Sequence, residues 1–310
     1  MPTSSPVSVA VLDDYQNVAL ELADWSALKG RADITVFNDH VEQTAQVIER
    51  LRPFDVVCVM RERTPLTREI IASLPNLKLI ASTGSANASI DMDAAAERGI
   101  KVVHTGYSST PTIEFTWAMI LSMVRNIPIE NQSLREGGWQ LMLGSQLAGK
   151  TLGLLGLGHI GSAVGVIGQA FRMNVIAWSQ NLTAERAESK GVKLVDKETL
   201  FATSDILSVH LRLSERTRGL VGADELAKMK PTSSIVNTSR GPIVDTEALL
   251  DVLERGQIAG AAIDVYDTEP LKLMDPLRAQ RNVLATPHIG YVTRELYQTF
   301  YGDTVRNIVE

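Results

Sequence analysis

Short runs of β-branched and aliphatic residues alternate along this chain with longer stretches whose apolar residues recur at helical spacing, and the alternation continues almost to the C-terminus. That order constrains the fold more than any other feature. Consecutive strands that run the same way need a crossover between them, a helix supplies it, and the result is a mostly parallel sheet covered on both faces. The first series predicts strands at Val7–Leu12, Asp33–Phe37, Asp55–Met60, Leu77–Ala81 and Lys101–His104, with helices at Tyr15–Lys29, Val41–Arg50, Leu66–Ser73 and Met92–Arg98. Pro75 stops the third helix, and Gly99 suits the left-handed cap of the fourth.

The longest apolar helical pattern runs from about Pro111 to Arg125, and the stretch from there to Gly149 has no clear period; a long helix and an arm are expected, the helix in the core or at a dimer interface. A second series then begins at Lys150. Its strands fall at Thr151–Leu155, Val175–Trp178, Lys193–Val195, Ile206–Leu211, Ser234–Asn237, Ile258–Val265 and Val283–Ala285. Helices at Ile160–Phe171, Thr183–Lys190, Lys197–Thr203, Ala223–Met229 and Thr246–Arg255 separate them. Two doubly wound α/β domains follow, which agrees with 310 residues at roughly 100–200 per domain. There is no short-period repeat, so solenoids and propellers are set aside.

Composition narrows the function. A chain 45% hydrophobic and 21% charged can build a core and is not disordered. No apolar run reaches the roughly 18–20 residues that cross a bilayer, and the start at Met1 has no basic segment before its apolar stretch, so a soluble, cytoplasmic protein with no membrane partner is expected. The formal charge of −6 comes without a run of like charges, which leaves no electrostatic footprint for nucleic acid or anionic lipid. The single cysteine, Cys58, lies in the apolar run Val56–Met60 and reads as a buried small hydrophobe. With five scattered histidines beside it, metal-ligand spacing is absent and no metal site is expected.

Gly156-Leu-Gly158-His159-Ile160-Gly161 stands between a predicted strand and a predicted helix. In that context the glycines have distinct roles. Gly156 permits the tight turn, Gly158 lets the backbone approach a pyrophosphate, and Gly161 allows close helix–strand packing. The helix N-terminus then offers N–H groups and a partial positive charge to phosphates. Dinucleotide binding is the expectation, a structural glycine turn or another adenosyl ligand the alternatives. About 20 residues on, where an NAD site carries an acid for the ribose 2′-hydroxyl, this chain has Ser179, Gln180 and Asn181. The acid that would repel a 2′-phosphate is missing, and no arginine replaces it. The cofactor is NAD or NADP, with a lean to NAD because nothing positive argues for the phosphate.

Three polar residues follow predicted strands of the second series: Arg240, Glu269 and His288. Ligands of open α/β sheets bind outside the carboxyl ends of strands. Taken singly, each has a plain reading as a surface cation, a solvated carboxylate or a satisfied histidine. Asp264, inside the apolar stretch Ala259–Val265, is costly to bury alone and needs a ligand or a buried hydrogen bond.

Together the motifs Thr83–Asp91, Ala94–Ile100, Glu114 in the long helix, Gly156–Gly161, Val236–Gly241 and Thr286–Gly290 make the chain resemble the D-isomer-specific 2-hydroxyacid dehydrogenase family over nearly its whole length. The resemblance implies a flavodoxin-like substrate domain of residues 1–106 and 287–310. It also implies a Rossmann dinucleotide-binding domain of residues 107–286, with a homodimer made through the helix and arm of about 111–149. By the same resemblance Arg240 binds the substrate carboxylate and carbonyl, His288 is the acid/base and Glu269 its partner. Asp264 faces the nicotinamide carboxamide, Thr238 joins the cofactor-binding set, and Arg61, Gly84, Ser85 and Ala86 lie near the substrate. A small 2-oxo acid and its 2-hydroxy acid are then the substrate pair, with glyoxylate or hydroxypyruvate reduction favoured.

Arg61-Glu62-Arg63 resembles the basic segment of phosphoglycerate dehydrogenases, although Glu62 dilutes its charge. A formate-type enzyme is disfavoured, since that branch has glutamine where Glu269 stands. The same fold also serves as a dinucleotide-sensing corepressor, which leaves an interaction protein as the alternative class. The chain departs from the family at Arg212, where proline is common; this cation either meets a 2′-phosphate or faces solvent.

Overall fold

The computed structural model describes residues 6–310, so the reading of the extreme N-terminus from Met1 lies outside the described residues. The chain forms two compact units, Met1–Ser108 with Val292–Glu310, and Ser109–Tyr291. In the first, five strands, β1 (Val7–Val11), β2 (Ala32–Val36), β3 (Val56–Val59), β4 (Leu79–Ser82) and β5 (Lys101–His104), pair in parallel in the order β2-β1-β3-β4-β5. That is the flavodoxin-like order, which reverses between β1 and β3. Helices α1 (Thr44–Leu51), α2 (Arg68–Ala72) and α3 (Met92–Glu97) make the crossovers. Thr67 and Asp91 start α2 and α3 by accepting the Ile70 and Ala94 N–H groups on their side chains. All four residues of β3 are buried, Cys58 among them, and burial pushes its thiol up to about 12.

The second unit begins with α4 (Thr110–Val124) and α5 (Ile127–Arg135). Its strands are β6 (Thr151–Leu155), β7 (Asn174–Trp178), β8 (Lys193–Leu194), β9 (Ile206–Val209), β10 (Ser234–Asn237), β11 (Gly260–Ile263) and β12 (Val283–Ala285). They pair in parallel in the order β12-β11-β10-β9-β6-β7-β8, the Rossmann order with one strand added. Between them run α6 (His159–Ala170), α7 (Ala184–Glu188), α8 (Lys197–Thr203), α9 (Ala223–Leu226) and α10 (Thr246–Glu254). The period-2 alternation of strand side chains divides the core between the two sheet faces: Leu207, Ile235 and Ala261 join one cluster, and Ile206, Val236 and Ala262 the other.

Three expectations are corrected. Residues 15–29 do not form a helix; turns lead to a short 3-10 segment at Ser26–Leu28. Asp14 takes the Ala19 N–H on its side chain at 2.8 Å and Asn17 adopts φ 54°, so local side-chain bonding displaces the helical ladder there. The stretch after Arg125 contains α5, which the left-handed Asn126 (φ 53°) and Pro128 set off from α4. The unit boundaries fall at 108 and 292 instead of 106 and 287. Residues 286–290 stay with the second unit because Thr286 Oγ1, Ile289 N and Gly290 N all donate to Asp264 at the end of β11, at 2.6, 2.9 and 2.8 Å.

Candidate active site

The glycine turn joins β6 to α6, as its spacing predicts. Gly156 has φ 106°, and a Cβ there would lie 2.7 Å from the His210 carbonyl oxygen; one on Gly161 would lie 2.2 Å from the Gly156 carbonyl oxygen. Nothing lies within 4 Å of a Cβ built on Gly158, the N-cap of α6, which makes no side-chain cap. An α-helix leaves its first N–H groups without intrahelical partners, so those that follow Gly158 face open space with positive polarity. His159 and Ile160 form the first turn. This cradle fits a pyrophosphate.

Ser179, Gln180 and Asn181 follow β7, and a groove of about 620 Å³ lined by Trp178, Ser179, Gln180, Lys193, Asp196 and Thr199 opens beside them. Beneath the glycine turn lies His210, at the end of β9. Its Nε2 pairs with Ser208 Oγ at 2.8 Å, and desolvation of this half-buried ring pushes its pKa down to about 4.

Arg240, Glu269 and His288 leave the carboxyl ends of β10, β11 and β12, which are neighbours in the sheet. Neighbouring strands lie roughly 5 Å apart, which sets the three strand ends side by side along one edge of the sheet. His288 Nδ1 meets Glu269 Oε2 at 2.5 Å, and the other Glu269 oxygen accepts the Tyr266 N–H at 2.9 Å. The Tyr291 ring stands edge-on to the His288 ring at 5.4 Å. His288 itself has φ 51°, a left-handed conformation that costs energy and that its surroundings must hold. Arg240 donates from Nη1 to the Ser239 carbonyl at 2.8 Å, and its own carbonyl accepts the Asn237 amide at 2.9 Å.

Asp264 is 1% exposed, and burial raises its pKa against the pull of its hydrogen bonds. Its two oxygens hold Thr286, Ile289 and Gly290, which realises the buried-hydrogen-bond reading of this residue. Thr238 shares a 2.8 Å hydrogen bond with Thr116 of α4. Sequence reasoning passed over Tyr266, whose hydroxyl donates to the Thr286 carbonyl at 2.8 Å and whose N–H holds Glu269. Its signal was available: a tyrosine buried between an aspartate and a glutamate needs a hydroxyl partner.

In the first unit, Arg61 at the end of β3 lies against the segment after β4. Its backbone N–H donates to Thr83 Oγ1 at 2.8 Å and its Nη1 to the Thr83 carbonyl at 3.1 Å. Gly84 is buried beneath it, while Ser85 and Ala86 are exposed. Among the described residues no cluster of three or more potential metal ligands occurs.

A family model described as D-isomer specific 2-hydroxyacid dehydrogenase, NAD binding domain, matches residues 117–290. The chain is 40% identical over 253 residues to a D-3-phosphoglycerate dehydrogenase of Archaeoglobus fulgidus, covering 81% of this chain and 48% of that protein. It is 37% identical over 286 residues to a hydroxypyruvate reductase of Thermotoga maritima, covering 91% and 92%. A crystal structure of phosphoglycerate oxidoreductase from Vibrio cholerae o395 matches with TM-score 0.92 and 40% identity over 98% of each chain. The chain spans about half the length of the curated D-3-phosphoglycerate dehydrogenases it matches, that of Archaeoglobus fulgidus among them. It belongs to the D-isomer specific 2-hydroxyacid dehydrogenase family.

Proposed function

We propose that the chain is a nicotinamide-dependent oxidoreductase that interconverts a small 2-oxo acid and its D-2-hydroxy acid, with glyoxylate or hydroxypyruvate reduction the favoured direction. The observation that carries this reading is the 2.5 Å contact between His288 and Glu269, on strand ends beside Arg240 and in the same sheet as the glycine turn. Gly156–Gly161 and the first turn of α6 would hold the dinucleotide pyrophosphate, with Ser179, Gln180 and Asn181 at the ribose and Thr238 further along the strand ends. When bound, the reduced nicotinamide supplies a hydride to the carbonyl carbon. Arg240, always charged and planar, neutralises the oxygen as negative charge gathers on it and pairs with the carboxylate. His288, its Nδ1 engaged by Glu269, gives a proton to that oxygen from Nε2. In the oxidative direction His288 accepts the proton instead.

Small unphosphorylated acids are favoured because the cations of the Arg61–Arg63 segment are already engaged. Arg61 Nη2 lies 3.6 Å from Glu62, and Arg63 donates to the Asp13 carbonyl at 2.7 Å and to the Tyr297 hydroxyl at 3.3 Å. The relatives named as phosphoglycerate dehydrogenases keep a phosphorylated acid as the second candidate. NAD is preferred over NADP, since no arginine stands among Ser179–Asn181. Two copies are proposed to pair through α4, α5 and the arm that follows. A cytoplasmic location goes with the reading, where the charged dinucleotide is available; among the described residues no helix is long and apolar enough to cross a membrane.

The test is a matrix of both reduced nicotinamide dinucleotides against a panel of 2-oxo acids, followed by near-ultraviolet absorbance, with His288→Ala and Arg240→Ala alongside. Loss of an acid/base or of the carbonyl clamp is expected to lower kcat by about 10²–10⁴-fold while dinucleotide affinity is kept. Near-normal turnover in both variants discards the assigned roles. Dinucleotide binding without turnover of any acid by the unmodified chain would favour the corepressor-like alternative.

A further inference from the structure

We propose that Asp196, at the start of α8, selects NAD over NADP: its carboxylate takes the ribose 2′-hydroxyl and repels a 2′-phosphate, in place of the acid that is absent after β7. This rests on the dinucleotide reading above and names the residue behind its cofactor preference.

The register of the last two strands sets the charge at the required height. β7 and β8 pair in parallel with Ile176 beside Lys193 and Ala177 beside Leu194, and the Val195 N–H donates to the Ala177 carbonyl at 3.1 Å. Continued by two residues, the ladder brings Val195 next to Trp178 and Asp196 next to Ser179, one strand spacing of roughly 5 Å away. Ser179 is the first residue after β7, the strand whose carboxyl end faces the ribose in this fold. Asp196 and Ser179 line the same groove of about 620 Å³. The negative charge missing from one wall stands on the other.

Capping does not use up this carboxylate. As the N-cap of α8, Asp196 accepts the Thr199 N–H on Oδ1 at 2.7 Å and the Thr199 hydroxyl on Oδ2 at 2.8 Å. A carboxylate offers about four lone-pair sites, so acceptor capacity remains for a ribose hydroxyl. Serine or asparagine would cap the helix as well, which means that the cap does not require the charge. The bonds from Thr199 hold the exposed carboxyl below its ordinary range and keep it ionised at neutral pH. They also occupy the Thr199 N–H, a donor that a phosphate could have used. Lys197 does not neutralise Asp196, because its Nζ donates to Glu225 at 2.7 Å. Among the described residues Lys193 is the cation that lines the groove, and it stands opposite Ile176, about 10 Å of extended chain below Asp196.

A 2′-phosphate carries nearly two negative charges at neutral pH, and its repulsion by a carboxylate a few ångströms away through water is worth about tenfold in affinity. Asp196→Asn keeps the cap and removes the charge. In calorimetric titrations the variant is expected to bind NADPH about tenfold more tightly and NADH about threefold more weakly than the unmodified chain, since a charged acceptor makes the stronger hydrogen bond. Raising the salt should shrink the preference of the unmodified chain for NADH and leave that of the variant nearly unchanged. Asp196→Ser, which also caps, decides the matter if the asparagine variant does not fold. An equal change for both dinucleotides, as a merely structural cap would give, overturns the proposal, and so does a preference of the unmodified chain for NADPH. Loss of NADPH affinity in Lys193→Gln, with no gain in Asp196→Asn, assigns the discrimination to the lysine and overturns it too. If the unmodified chain binds neither dinucleotide, the nicotinamide reading fails separately, and adenosine 5′-monophosphate against adenosine 2′,5′-bisphosphate then decides: a preference for the first that Asp196→Asn removes supports the acid, and no such preference refutes it.

Discussion

His210 is a neutral imidazole built into the floor of the glycine turn. Its carbonyl bounds the turn at Gly156, its Cβ lies near Gly161, and the residue is half-buried. Desolvation lowers the folded pKa from 6.5 to about 4, so the unfolded chain binds a proton more readily than the folded one between those values. Stability is therefore unaffected by this group above about 6.5 and falls as pH drops through that window, by on the order of 2 kcal/mol at about pH 5. Asp264 has the opposite sign: its raised folded pKa gives stability present at low pH and lost as pH rises through that pKa. Comparing His210→Gln with the unmodified chain cancels the Asp264 effect. Urea unfolding at about pH 7 and about pH 5 is expected to show a smaller acid loss in the variant, and equal losses would remove His210 as the cause. Cys58 gives a second prediction at this scale. With its thiol buried and pushed up to about 12, it should resist thiol reagents in the folded protein and react on unfolding, read by mass spectrometry.

The segment after β12 depends on Asp264 and Tyr266, the first and third residues after β11. Asp264 ties down Thr286, Ile289 and Gly290, Tyr266 ties the Thr286 carbonyl, and between these bonds His288 is held in a left-handed conformation facing Glu269. Tyr266→Phe removes one hydroxyl and leaves a carbonyl without its donor, a loss of about 1–2 kcal/mol. Asp264→Ala strips three donors of their acceptor and should cost more. Both are expected to lower the melting temperature and reduce kcat more than dinucleotide affinity, by calorimetry and steady-state kinetics; unchanged kcat in both would show that His288 keeps its place without them. These dependencies explain what the sequence could convey. Strands buried on both faces announce themselves, and Thr151–Leu155 and Ser234–Asn237 match residue for residue, as does the helix Lys197–Thr203. The helix expected at Tyr15–Lys29 fails because Asp14 bonds the backbone locally, a competition that apolar spacing does not register. Arg240, Glu269 and His288 were legible as polar strand ends, but their adjacency depends on β10, β11 and β12 being neighbours. The fold of Arg61 onto Gly84 leaves no trace in spacing or composition, because it joins the ends of two strands through their backbone conformations.

At the scale of the molecule, apolar surface is concentrated on one stretch. Along α5 and the arm after it, Ile127, Leu134, Leu141 and Met142 are exposed, and Trp139 and Leu143 are 78% and 97% exposed. Single exposed hydrophobes are ordinary, whereas a contiguous run this apolar on a monomer marks a surface that another protein covers. The run is continuous with α4, whose other face packs into the core through Trp117, Met119 and Ile120, so a partner laid along it would bear on the element that carries Thr116 and supports Thr238. The pairing of two copies proposed above would cover it, because in a two-fold arrangement each arm covers the other and the same residues are buried twice. Light scattering should give twice the chain mass at micromolar concentration. The double substitution of Trp139→Asp and Leu143→Asp should give the monomer, with a lower melting temperature and dinucleotide binding preserved, since neither residue belongs to the glycine turn. A monomeric unmodified chain, or a double variant that remains dimeric, would mean that the arm is not the interface.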